Sequence, residues 1–95
     1  MTAQLPNLEL IEATHRFPCS FTFKVIGDSR SGFTEDALNL IAAALTEDRA
    51  LSHTSRNSAT GIHTAITISV HLKNADEVHA VYAELLKLTG LRALF

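Results

Sequence analysis

Tryptophan is absent from this chain, and cysteine, methionine and tyrosine occur once each. A single thiol, Cys19, excludes an intramolecular disulfide and gives no sign of an oxidising compartment. Long hydrophobic runs are missing as well. The longest apolar stretch, Leu40 to Leu45, falls far short of the roughly 20 residues that cross a bilayer. Neither sign of charge dominates: 8 Lys and Arg stand against 10 Asp and Glu, for a net charge of −2. Such a balance creates no long-range field that would gather nucleic acid or an anionic membrane. Met1 to Pro6 offers neither a basic segment nor a continuous apolar run, so a signal peptide is not expected and the cytoplasm is the expected compartment.

What remains is enough for one domain. The chain has 95 residues, 46% of them apolar, which suffices for a core without metal or disulfide staples. Residues 1–18 read as an N-terminal arm. Leu5, Leu8 and Ile11 recur at a spacing that allows a short amphipathic helix, ending before Phe17-Pro18. The domain proper is expected over residues 19–95.

Its elements follow from periodicity. Ser20 to Val25 alternates polar and apolar residues, the period of a half-buried strand, which Gly27 should end. A helix should then start at a Thr34 cap, with Glu35 and Asp36 in its first turn and Phe33 and Leu38 stapled across it. Leu38, Ile41, Ala42 and Leu45 would form its apolar face. Residues 50–57 predict a weak strand, Ser58 to Gly61 a turn, and Ile62 to Leu72 a strong strand. The apolar face of that strong strand would run Ile62, Thr64, Ile66, Ile68, Val70, Leu72. Asn74 to Glu77 is a capping box for a second helix with Val78, Val81, Tyr82 and Leu85 inward. Lys87 would lie in its last turn, Gly90 at its C′ position, and Leu91 to Phe95 in a final edge strand.

This order predicts an α+β fold: a ferredoxin-like βαββαβ sandwich with two helices on one face of a four-stranded antiparallel sheet. Phe21, Phe23, Val25, Ile66, Ile68 and Val70 supply the covered face. Thr22, Lys24, Ala65, Thr67 and Ser69 are expected on the open face, which is hydroxyl-rich and nearly uncharged. Water, a second copy or another protein can cover such a surface. The strand of residues 52–58 is expected at a sheet edge, where Arg56 would discourage unwanted pairing.

Phe17-Pro18-Cys19 before a strand, Phe23-Lys24-Val25-Ile26-Gly27, Ser58 and Gly61 leading into an alternating strand, and Val81-Tyr82-x-x-Leu85 together resemble the YbeD-like family. These are small bacterial proteins of uncertain function with an ACT-like ferredoxin fold. The resemblance covers roughly residues 9–95 and is carried by structural positions. It implies pairing of domains, a small effector near the first loop, and a genomic association with lipoate metabolism. Many relatives have an aromatic after the glycine that opens the third strand, whereas here Gly61 is followed by Ile62-His63.

For chemistry, the loop Gly27 to Phe33 is the first candidate. Asp28, Ser29, Arg30, Ser31 and Gly32 combine hydroxyls, a guanidinium and backbone N–H groups near a helix start, which suits a carboxylate or phosphate. No Gly-Lys-Ser/Thr closes it into a phosphate loop. Of the five histidines, His63 and His71 share a strand face but stand roughly 26 Å apart. His53 approaches His63 only across the hairpin, and no third ligand is evident, so no metal or other cofactor is expected. Cys19 has no neighbouring base and reads as a small hydrophobe. Acylphosphatases share this topology, but Arg30 and Asn57 are the only stand-ins for their arginine and asparagine, and their valine-glutamine-glycine loop is missing. RNA-binding sheets stack bases on open-face aromatics, and the strand phenylalanines here alternate inward.

The leading expectation is thus a non-catalytic, ACT-like regulatory module for a small carboxylate metabolite. Arg30 with Asp28 and Ser31 would contact that ligand, while Lys24 and Thr67 would carry a separate interaction of the open face. An interaction adaptor that docks a protein through the arm or the sheet is the alternative. A hydrolase of acylphosphatase type comes last.

Overall fold

The computed structural model describes residues 15–46 and 49–95. The proposed helix around Leu5, Leu8 and Ile11 lies outside the described residues. The elements are β1 (Cys19–Asp28), α1 (Phe33–Ala44), β2 (Leu51–Asn57), β3 (His63–Leu72), α2 (Ala75–Leu85) and β4 (Leu91–Leu94). They form one antiparallel sheet in the order β2-β3-β1-β4, with β2 and β4 at the edges. This is the predicted ferredoxin-like arrangement.

Burial follows strand alternation. Phe21, Phe23 and Val25 of β1 and Ile66, Ile68, Val70 and Leu72 of β3 are all buried under the helices. Between these strands the pairing is unbroken, from Cys19 opposite Leu72 to Asp28 opposite His63. Val78, Val81, Tyr82 and Leu85 of α2 close the core, and the Tyr82 ring meets Phe23 edge-on at 5.0 Å. The Asn74 side chain caps α2, accepting from the Glu77 N–H at 3.0 Å. Burial pushes the Tyr82 hydroxyl up from its ordinary pKa.

Five local expectations need correction. Gly27 does not end β1: the strand continues through it to Asp28, and Gly27 is buried. A Cβ at Gly27 would overlap the Phe33 ring and lie 2.7 Å from the Gly90 carbonyl oxygen, so the glycine is there for space. Helix α1 starts at Phe33, with Gly32 as its N-cap at φ 82° and no side-chain cap. Thr34 is therefore no cap, and the Phe33–Leu38 staple has no place. The buried ridge of α1 is Phe33, Ala37, Ile41 and Leu45, while Leu38 is half-buried and Ala42 exposed. Phe33 must plug the space above Gly27, and that sets the rotation of the helix.

The fourth correction is at β3, which starts at His63. Ile62 belongs to the preceding turn and is 62% exposed. The fifth is at α2, which stops at Leu85. Lys87 and Gly90 lie beyond it, and Gly90, at φ 88°, turns the chain into β4.

One ion pair that periodicity does not reveal clamps the sheet to α2. Arg49 grips Glu77 with two parallel bonds, of 2.7 and 2.6 Å. Arg49 also donates to the His71 carbonyl at 3.1 Å, and Glu77 accepts the Lys73 N–H at 2.6 Å. The two side chains are 9% and 17% exposed, so solvent screens the pair little. The hydrogen bond from Arg49 is the main cause holding the Glu77 carboxyl below the usual glutamate range.

Two outcomes are expected. Gly27→Ala should cost roughly 1–3 kcal/mol by overpacking, read from the urea midpoint. Glu77→Gln should cost roughly 2–3 kcal/mol at neutral pH, because it leaves the Arg49 charge poorly paired. Since the folded-state pKa of Glu77 is depressed, its contribution is complete above the unfolded value of about 4.3 and fades as pH falls below it. The gap between wild type and Glu77→Gln should therefore close on acidification, and a gap constant from pH 7 to pH 3 would contradict the assignment.

Candidate functional site

Two surfaces come into question, and the structure treats their polar groups differently. The first is the connection from β1 to α1. Asp28, Ser29, Arg30, Ser31 and Gly32 are neighbours there, but each of the three leading side chains is aimed at a different internal partner. Asp28 accepts from the Arg92 Nε at 2.8 Å, and this bond holds its carboxyl below the usual range. Arg30 donates from Nε and Nη2 to the Thr89 carbonyl, at 3.1 and 3.0 Å. Its Nη1 reaches the Ser31 carbonyl at 3.2 Å and its Nη2 the Asp36 carboxylate at 2.9 Å. The guanidinium also lies 5.6 Å from the centre of the Phe33 ring. Ser29 and Thr64 hydroxyls are 2.8 Å apart, and Thr64 donates to the Asn57 side chain at 2.9 Å. Gly32 accepts the Asp36 N–H through its carbonyl at 2.8 Å. The segment is a strap that ties β1, α1 and the turn before β4 together.

The second surface is the open face of the sheet. Register sets Thr22, Ser69 and Ser52 in one row across the three strands, Lys24, Thr67 and Thr54 in the next, and Ile26, Ala65 and Arg56 in a third. Thr22 and Ser69 share a hydrogen bond of 3.1 Å. Lys24, Ile26, Thr54, Arg56, Ala65 and Thr67 line a shallow trough of about 390 Å³. A smaller depression of about 160 Å³ continues it past Ile26 and Ala65 to Asn57, Ser58 and His63. Lys24 and Arg56 have exposed side chains with no ion pair among the described residues. By the strand spacing of ~4.8 Å and the rise of ~3.4 Å per residue, their backbones stand about 12 Å apart, on either side of β3.

Sequence reasoning found Thr22, Lys24, Ala65, Thr67 and Ser69 for this face but treated Arg56 only as a guard of the edge. Alternation alone places Arg56 with Thr54, and the β2–β3 register was needed to set it beside Ala65. The same register separates the histidines. His53 pairs with Ile68 on the helix side of the sheet, and His63 pairs with Asp28, so the hairpin does not bring His53 to His63. Cys19 is half-buried at the entrance of β1. Asn57 is held by Thr64 on the helix side, away from the Arg30 guanidinium, which has its own partners.

Comparison with known proteins fits this picture of a fold without an assigned activity. Residues 12–94 match the family described as Protein of unknown function (DUF493). A UPF0250 protein of Haemophilus ducreyi is 32% identical over 88 residues, which cover 93% of this chain and 88% of that protein. Another, of Shewanella putrefaciens, is 33% identical over 76 residues, with 80% and 84% covered. Among solved structures, protein HP0495 from H. pylori superposes with a TM-score of 0.72 at 15% identity, covering 85% of each chain. The ACT domain from GTP pyrophosphokinase of Chlorobium tepidum gives 0.61 at 17% identity, covering 80% of this chain and 94% of that one. These likenesses establish an ACT-like ferredoxin fold, and the chain belongs to the DUF493 (UPF0250, YbeD-like) family.

Proposed function

We propose that this protein is a non-catalytic regulatory module that works by binding carboxylate groups through the open face of its sheet. One observation carries the reading. The cations of the β1–α1 strap and of β4 are already committed to internal partners, whereas Lys24 and Arg56 have no ion pair among the described residues and stand on the two sides of a hydroxyl-lined trough. Thr54 and Thr67 between them supply donors that suit carboxylate oxygens. A shallow trough of this kind holds a ligand by contact across an open surface and excludes no water. That suits recognition better than turnover. The small-carboxylate effector expected in the loop is accordingly moved to the sheet, because binding at Arg30 would have to break its bonds to Thr89 and Asp36.

Titration of isotopically labelled protein with acetate and succinate, followed by amide NMR, separates the two locations. Shifts are expected at Lys24, Ala65 and Thr67 and should vanish in the Lys24→Met, Arg56→Met double variant. Shifts confined to residues 28–33 would return the site to the loop and defeat the proposal. Arg30→Ala gives the complementary result. It should lower stability by roughly 1–2 kcal/mol through loss of its hydrogen bonds and leave the face titration unchanged.

A further inference from the structure

Charge is sorted between the two layers of this molecule. Neither helix contains a lysine or an arginine, while α1 carries Glu35 and Asp36 and α2 carries Asp76, Glu77 and Glu84. The strands carry Lys24, Arg56 and Arg92 against the single acid Asp28. Among the described residues, four ion pairs cancel most of this: Arg30–Asp36, Arg49–Glu77, Lys87–Glu84 and Arg92–Asp28. Among the described residues, the charges of the regular elements without an ion pair are Lys24 and Arg56 on the sheet and Glu35 and Asp76 on the helices. A chain of net charge −2 thus keeps a cationic sheet face.

We infer that the open sheet face is a docking surface for an acidic segment of another protein, with Lys24 and Arg56 each meeting a separate carboxylate. The inference rests on the proposed use of this face and names its partner. Two cations whose backbones are about 12 Å apart are met by two acids spaced along a chain. A single small carboxylate engages both only if the two long side chains are drawn inward together, at a cost in rotamer freedom. A small ligand is ordinarily bound by burying most of its surface in a pocket, and this trough lies open on a sheet. Between the cations the trough is lined by Thr54, Thr67, Ala65 and Ile26, and the first three are small enough for a backbone to lie close.

The same charges argue against a second copy as occupant. Two-fold pairing of the face with itself would gather two lysines and two arginines, and its only acid, Asp28, is already held by Arg92. Stacking the face on the acidic helices of another copy is a head-to-tail contact, which builds a ring or a filament and not a two-fold dimer.

The test uses full-length protein and a short oligoglutamate peptide, with acetate, an oligolysine peptide and a short single-stranded oligonucleotide as comparisons. Amide shifts should map to Lys24, Ile26, Ala65 and Thr67, with affinity on the order of tenfold or more above that for acetate, as expected when two carboxylates engage together. Added salt should weaken the binding. Lys24→Glu with Arg56→Glu should abolish it, and Lys24→Met with Arg56→Met, which keeps the apolar stems, should do so with less risk to folding. Oligoglutamate no tighter than acetate on this face would overturn the acidic partner while leaving the function of the face intact. Shifts from neither ligand would overturn both. Tighter binding of the oligonucleotide than of oligoglutamate, or a doubled solution mass whose interface maps to this face, would overturn the partner assigned here.

Discussion

The pairing of β1 with β3 determines nearly everything else in this molecule. It runs without interruption from Cys19 opposite Leu72 to Asp28 opposite His63. Because side chains alternate across a strand, a slip of one residue would turn Phe21, Phe23 and Val25 outward and bring Thr22 and Lys24 into the core. The buried phenylalanines therefore pin the register, and the register in turn presents Lys24 and Thr67 to solvent as neighbours. The core and the open face are two consequences of one set of backbone bonds. The outer strands hang on this central pair, and β2, exposed along nearly its whole length, contributes its residues to the surface and little to the interior.

Ionic chemistry divides along similar lines. Where charges are shielded, as in the Arg49–Glu77 clamp, they join the end of β3 to the start of α2 and are bound by additional backbone groups. At the other end of the sheet, Arg30 and Arg92 perform joinery between turns that periodic structure leaves open. Cations with such duties are poorly placed to attract a ligand as well. Lys24 and Arg56 have none of these duties among the described residues and share one face of the sheet, which is why the functional reading rests on them and not on the more conspicuous loop.

Much of this was legible in the amino-acid sequence, and the limits have physical causes. Strand alternation identified the inward residues of β1 and β3 because each strand is covered on one side only. The second helix was legible in detail because its cap and its apolar stripe agree. For the first helix, local signals put the cap two positions late, at Thr34 instead of Gly32, and rotate the apolar face. Its initiator is a glycine in a left-handed conformation, and its orientation is dictated by a ring meeting the sheet, neither of which is a local signal. Gly27 looks like punctuation for the same reason: from sequence, a glycine required by a neighbour's volume resembles one required by a turn. Of the surface residues, those on the central strands followed from alternation. The role of Arg56 depended on a hairpin register, and the partnerships of Arg30, Arg49 and Arg92 depended on contacts across 22 to 64 positions of chain.

The contact between Gly27 and Phe33 has a bearing on how the family can vary. The missing side chain of one residue and the ring of the other fill a single volume, so neither position is free to change alone. A larger residue in the strand demands a smaller one at the head of the helix, and a smaller ring leaves a hole that only the strand position can fill. Across relatives, the two sites should drift as a correlated pair. Wherever both have changed, the first helix should sit at a different height above the sheet, and with it the strap that joins them.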